Sequence, residues 1–208
     1  RGLGDVYKRQ TLLRLAKAGE YRDSDTHGHV LRMAYTARLI AETLGKDRDY
    51  CDIIEQAAPM HDIGKIGVPD SILLKRGVLT PQERSTMMEH ARIGYEILRD
   101  SPSMYLQFGA TIAWSHHEKF NGEGYPRGLK GNDIPVEARI VAIADVFDAL
   151  LSERPYKVAW PVERALELIR SESGRHFDPD CVEALLLNLV RIVSSRELFR
   201  VSNSPNVG

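Results

Sequence analysis

Apolar residues recur at three- and four-residue steps through Val30, Met33, Ala34, Ala37, Ile40, Ala41 and Leu44. That rhythm draws one stripe along a helix and puts no consistent set on one face of a strand. Gly45 follows as the stop. Further helices are expected over about Asp49 to Met60, Pro81 to Arg99, Met104 to His117, Pro135 to Leu151, Pro161 to Ser173 and Pro179 to Val193. Thr80-Pro81-Gln82-Glu83 has the form of a capped helix start, with Thr as the cap and Glu at the third position. No convincing alternating run marks a strand, so the chain reads as all-α, a single helical domain.

Composition removes several function classes. The 208 residues, 43% apolar and 27% charged, suffice for one domain with a sizeable core and are too apolar for a disordered chain. Lys+Arg number 28 against 29 Asp+Glu, a net charge of -1, which argues against a protein that coats nucleic acid. With no run of 18 apolar residues and no secretory signal, neither a membrane segment nor export is expected, and the location reads as cytoplasmic. Cys51 and Cys181 cannot make a disulfide framework or a four-thiolate zinc site.

Along the chain, residues 1–10 fit no helix or core pattern and read as a non-native or unstructured start, with more protein expected upstream. Residues 11–21 read as a connecting helix, 22–195 as the domain proper and 196–208 as a frayed tail. Two Gly-rich stretches interrupt the helical pattern, Ile63 to Leu79 and Glu118 to Ile134. Such loops inside a helical domain tend to carry function.

The chemistry-bearing residues border those loops. His61-Asp62 falls at one helix end, directly before the first loop, and His116-His117 at another, directly before the second. Adjacent residues on a continuous helix point about 100° apart, so each pair serves one site only if its helix ends there, and Gly64 marks such an end. Imidazole and carboxylate together suit borderline or hard divalent ions. His90 lies mid-helix, where a ligand and a satisfied core histidine are both open readings. Asp145 sits among Ile143, Ala144, Val146 and Phe147. A carboxylate buried there needs a metal or a core arginine. Asp25 and His29 share a face at i, i+4, with Asp25 as either a ligand or a helix cap.

Taken together, His61-Asp62-Ile63-Gly64-Lys65, His116-His117-Glu118, Gly124-Tyr125-Pro126, Asp145-Val146-Phe147-Asp148-Ala149-Leu150 and Arg154-Pro155-Tyr156-Lys157 closely resemble the HD-GYP family. The resemblance runs from about Thr11 to Leu187 and implies an HD-superfamily helical domain with a metal centre between its helices. It implies metal-dependent hydrolysis of cyclic di-GMP to pGpG and GMP, as a bacterial second-messenger phosphodiesterase. By motif position the metal ligands are His29, His61, Asp62, His90, His116, His117 and Asp145, holding two ions, iron or manganese. Asp25 falls where many trinuclear members place a Glu, and so marks a third-metal ligand. Other departures from the family pattern are His27, Arg76 and Asn121.

Two metals about 3.5–4 Å apart acidify water and stabilise both oxygens of an in-line displacement at phosphorus. Asp62, with two carboxylate oxygens, is the expected bridge and catalytic residue. Lys65, three residues on, is expected to meet a phosphate oxygen, the alternative being a solvated loop lysine. Tyr125 is expected to contact a guanine, the alternative being packing beneath its loop. Arg154 and Lys157 are expected to clamp a phosphate, and Asp148 to contact the nucleotide or orient a ligand. Family architecture further implies an upstream receiver or sensor domain and a diguanylate cyclase (GGDEF) partner. Two other readings compete: hydrolysis of another cyclic dinucleotide such as cyclic GMP-AMP, and a non-catalytic domain that binds cyclic di-GMP or a partner.

Overall fold

A computed structural model describes residues 10, 11, 14, 27–153 and 158–201. Asp25, Arg154 and Lys157 lie outside the described residues, as do most of 1–21 and all of 202–208. Helices α1 (His27–Thr43), α2 (Arg48–Ala57), α3 (Asp70–Leu73), α4 (Pro81–Leu98), α5 (Met104–Ser115), α6 (Val136–Leu150), α7 (Val162–Ser171), α8 (Pro179–Leu187) and α9 (Leu189–Val201) make up the fold. Short 3-10 turns occupy Ala58–Met60, Ile63–Gly67 and Gly131–Asp133, and among the described residues a single bridge, Ser173 to Phe177, is the only extended pairing.

The stripe that begins at Val30 faces inward: Val30, Met33, Ala34, Ala37, Ile40 and Ala41 are all buried. It makes α1 the central helix, packed on α2, α6, α8 and α9. Gly45 ends it at φ 72°, with the Lys46 amide donating back to the Ala41 carbonyl at 3.1 Å. Thr80 and Glu83 form the expected reciprocal cap of α4. Phe147 on α6 is fully buried, which fixes the rotation of that helix and turns Asp145 and Asp148 together toward α1. Truncating an aromatic at such a position costs about 3–5 kcal/mol.

Three features differ from the sequence expectation. The stretch 63–79 is not an irregular loop but contains a 3-10 turn and the short α3. The helix expected over Pro179 to Val193 breaks at Asn188, whose side-chain amide leaves the helical path to donate to Thr43 Oγ1 at 2.6 Å and the Ala184 carbonyl at 2.9 Å. The second part, α9, then continues to Val201, so residues 196–201 are helical where a frayed tail was expected.

Candidate metal centre

His61 and Asp62 are brought to one site by a change of helix type. α2 tightens into the 3-10 turn Ala58–Met60, His61 keeps helical angles (φ -51°, ψ -38°), and Asp62 turns out of the helix at φ -104°, ψ 10°. Gly64 acts differently from the helix-ending role expected of it. A Cβ there would lie 1.9 Å from the His90 carbonyl oxygen and 2.4 Å from the Gly94 amide nitrogen. Glycine therefore lets the His61-Asp62 turn press against α4, which carries His90. α5 ends at Ser115, leaving His116 and His117 at its C-terminus with ring centroids 3.9 Å apart.

Two groups of potential ligands result: Asp62, His90, His116 and His117 in one, and His29, His61 and Asp145 in the other, with the ligand atoms of each group within 4.8 Å of one another. Asp62 joins them. Its Oδ1 faces His90 Nε2 at 3.2 Å and His116 Nε2 at 3.6 Å, while its Oδ2 faces His61 Nε2 at 3.2 Å. Lys65 Nζ sits 2.7 Å from the same Oδ2. Asp145 Oδ1 lies 3.2 Å from His29 Nε2, and its side chain keeps 22% exposure rather than the full burial expected.

Far-side contacts set the histidine tautomers. His61 Nδ1 lies 3.1 Å from the Ala58 carbonyl, His90 Nδ1 2.7 Å from that of Met87, and His116 Nδ1 3.1 Å from those of Ile112 and Ala113. A carbonyl only accepts, so each Nδ1 carries a proton, and in the neutral ring that a metal requires each Nε2 presents a lone pair. Those lone pairs point at a carboxylate that also only accepts. His61 Nε2, His116 Nε2 and Asp62 Oδ1 are accordingly buried with no hydrogen-bond partner. Converging acceptors without a donor are costly unless a cation lies among them. The donor set of nitrogens and carboxylate oxygens suits a divalent ion, so the residues fit a metal.

The charged groups divide the rings into two kinds. Burial disfavours the His29 imidazolium, yet hydrogen bonds and charge from Asp145 and Asp148 outweigh it and raise its pKa to about 10. His61 is raised against its burial to about 9, chiefly by Asp62. Burial would raise Asp62, but Lys65, His61 and His116 hold it well below the usual carboxylate range. Burial likewise opposes ionisation of Asp145, and His29 and His61 overcome it and hold its pKa low. At His116 and His117 burial dominates and keeps the rings neutral. Ionised carboxylates draw positive charge onto His29 and His61 while His116 and His117 stay neutral, and a cation bound there would take the place of the protons on His29 and His61.

Of the two roles expected of Asp148, contacting the nucleotide and orienting a ligand, its surroundings favour the second. It is 2% exposed, its Oδ2 lies 2.8 Å from His29 Nδ1, and Arg32 grips both oxygens at 2.9 Å. A carboxylate so buried and so fully partnered turns its oxygens to His29 and Arg32 rather than to open space. Tyr125 stacks on His117, centroids 4.6 Å apart, with its amide donating to the His117 carbonyl at 3.2 Å. One ring face is therefore taken by a candidate ligand.

Glu118, quoted in the motif without a role, is 2% exposed and accepts from the amides of Arg127 (2.8 Å) and Leu129 (3.0 Å). It folds the Gly-Tyr-Pro loop back over His117. Gly124 makes that path possible, since a Cβ there would lie 2.2 Å from the Lys119 nitrogen. Position beside His117 was the available signal for Glu118, and the i, i+3 spacing from His29 for Arg32. Nothing in the sequence singled out Arg196, whose guanidinium also reaches Asp148.

The sequence matches the HD domain family over residues 12–181. The chain belongs to that family. Its His-Asp, His-His-Glu and Gly-Tyr-Pro motifs are those of the HD-GYP branch. A Xanthomonas campestris protein named cyclic di-GMP phosphodiesterase response regulator RpfG is 56% identical over 179 residues, 86% of this chain and 47% of that protein. A Vibrio cholerae protein named 3'3'-cGAMP-specific phosphodiesterase 2 is 44% identical over 178 residues, 86% of this chain and 34% of that protein. The chain thus spans less than half the length of these curated relatives. A solved V. cholerae structure described as a cyclic GMP-AMP specific phosphodiesterase, V-cGAP3, shares the fold at TM-score 0.71 and 21% identity, covering 95% of this chain and 53% of that one. Among the described residues, no helix is long and apolar enough to cross a membrane.

Proposed function

We propose that this chain is the catalytic part of a metal-dependent phosphodiesterase that hydrolyses cyclic di-GMP to pGpG and GMP in bacterial signalling. One observation carries the reading: the two oxygens of Asp62 face two different groups of imidazoles. That arrangement suits a carboxylate bridging two divalent ions, iron or manganese, held by His29, His61 and Asp145 on one side and His90, His116 and His117 on the other. Bound there, such ions acidify water and polarise a phosphoryl group.

The chain's own groups then divide the work. Asp62 holds the two halves in register. Lys65 keeps Asp62 ionised and has an ammonium within reach of a phosphate oxygen in the same space. Tyr125, fixed by its stack on His117, offers its remaining face to a purine base. Arg154 and Lys157 are assigned to the second phosphate by their place in the motif, and Asp25 to a third ion. An upstream receiver domain is in keeping with a relative named as a response regulator. A diguanylate cyclase partner and a cytoplasmic location belong to the same reading.

A second substrate is favoured by one finding, the relative named as 3'3'-cGAMP-specific. Metal chemistry is common to both, so only pocket contacts discriminate. Side-by-side anaerobic turnover of cyclic di-GMP and 3'3'-cyclic GMP-AMP by the iron- or manganese-loaded protein separates them. A higher kcat/KM for cyclic di-GMP with pGpG or GMP as product is expected. Preference for the mixed dinucleotide transfers the assignment, and no turnover of either with full metal leaves a binding domain.

A further inference from the structure

The family match ends at residue 181, yet helix α9 beyond it reaches the metal cluster. Asn188 at the α8–α9 junction bonds Thr43 near one end of α1, while Arg196 reaches Asp148 behind His29 near the other. α9 therefore lies antiparallel along α1, the helix that carries His29. Arg196 makes three further-reaching contacts: its guanidinium donates to Asp148 Oδ1, to the Leu151 carbonyl at 2.8 Å and to Ser152 Oγ at 3.1 Å. Ser152 Oγ also accepts from Arg32 at 3.0 Å and donates to the Asp148 carbonyl at 2.7 Å. Asp148, Arg32, Ser152 and Arg196 form one closed network with His29 Nδ1 at its head.

We propose that Arg196 is a positioning residue of the metal centre, holding His29 through Asp148, so that the C-terminal helix is a working part of the site. The inference rests on the metal reading of His29. Asp148 has one carboxylate to offer and must present Oδ2 to His29 Nδ1 at one angle. Arg32 alone approaches it from α1, the same helix as His29, and so moves with His29. Arg196 approaches from a different helix and from the far side, and it also ties down the end of α6 at Leu151 and Ser152. With Ser152 Oγ, which lies 3.2 Å from Asp148 Oδ2, it fixes Asp148 against the frame of the domain instead of against its own client. Outer partners of this kind typically alter metal affinity by about 10–100-fold.

Charge alone predicts the opposite sign, since deleting a nearby cation favours binding of another. That contrast makes the test discriminating. Mn(II) is titrated into the metal-free full chain, with His29→Ala identifying which binding step belongs to the His29 half. In Arg196→Gln the His29 step is expected to weaken about tenfold, the Asp62, His90, His116 and His117 step to stay within twofold, and Arg196→Lys to recover only part of the loss, its His29 step remaining a few-fold weaker than in the unaltered protein. Tighter or unaltered binding at the His29 step overturns the inference, as does equal weakening of both steps or a lower Tm with both steps intact. Should the Gln variant not fold, Arg196→Lys carries the test, because Lys cannot reach all three acceptors: a selective weakening of a few-fold supports the inference and unchanged binding overturns it. If the unaltered protein binds no Mn(II), the metal reading itself fails, which is a different result from either.

Discussion

In the half of the cluster formed by Asp62, His90, His116 and His117, the rings of His90 and His116 are held by main-chain carbonyls one turn back in their own helices. In the half formed by His29, His61 and Asp145, only His61 is held that way, and His29 depends on Asp148, a side chain 119 positions distant. The first arrangement is local and lasts as long as the helix does. The second is tertiary and exists only while α1, α6 and α9 are packed. A carboxylate behind an imidazole also makes that imidazole the more basic donor. One half is thus robust and the other tunable from a distance.

The largest effect expected from breaking this comparison comes at the residue the two halves share. Asp62→Ala should lower turnover by at least about 10³-fold, in line with loss of a group that organises transition-state charge, while far-ultraviolet circular dichroism stays helical. Retained turnover with full metal would show that the halves do not need a bridge. Next comes Asp148→Asn, which keeps shape but turns an amide N–H or a weaker acceptor toward His29. Metal affinity at the His29 half should fall about 10–100-fold with the other half unaffected, a split readable by calorimetric titration. Equal loss at both would erase the distinction between a local and a tertiary half.

Gly64→Ala addresses the robust half. The added methyl would meet the His90 carbonyl at 1.9 Å, which is backbone and cannot swing aside. Overpacking of this sort costs about 1–3 kcal/mol, so Tm should drop by several degrees at about 2–4 °C per kcal/mol for a chain of this size. An unchanged Tm would mean that the turn and α4 are less tightly joined than described. The smallest effect is expected at Glu118→Gln, which replaces a double acceptor with a single one. Loss of one loop hydrogen bond, about 1 kcal/mol, should raise KM roughly fivefold and leave both metal affinities alone. A change in metal binding with KM constant would place Glu118 in the cluster rather than in the loop.

Much of the fold and of the cluster is legible in the sequence. The apolar stripe of α1, the Gly45 stop and the Thr80–Glu83 cap depend on local spacing and local chemistry, and all three are present as read. The pairing of His61-Asp62 with His116-His117 was legible as two helix ends meeting two loops. What escaped was whatever depends on one helix touching another. Gly64 looked like a helix stop because its true reason, the His90 carbonyl pressed against it, lies in α4. For Asp148 the sequence leaves substrate contact and ligand orientation both open, because spacing from Asp145 gives a face but not what that face meets. Arg196 carries no sequence signal, since it falls at the start of the expected tail and its partners are Asp148 on α6 and Leu151 just beyond it.

The proposed joining of two half-sites by Asp62 into one two-ion centre is read out by a Mn(II) titration of the metal-free chain. Two ions per chain are expected, with both binding steps weakened together by Asp62→Ala. A single ion in the unaltered protein, or two undiminished steps in the Asp62→Ala variant, would contradict it.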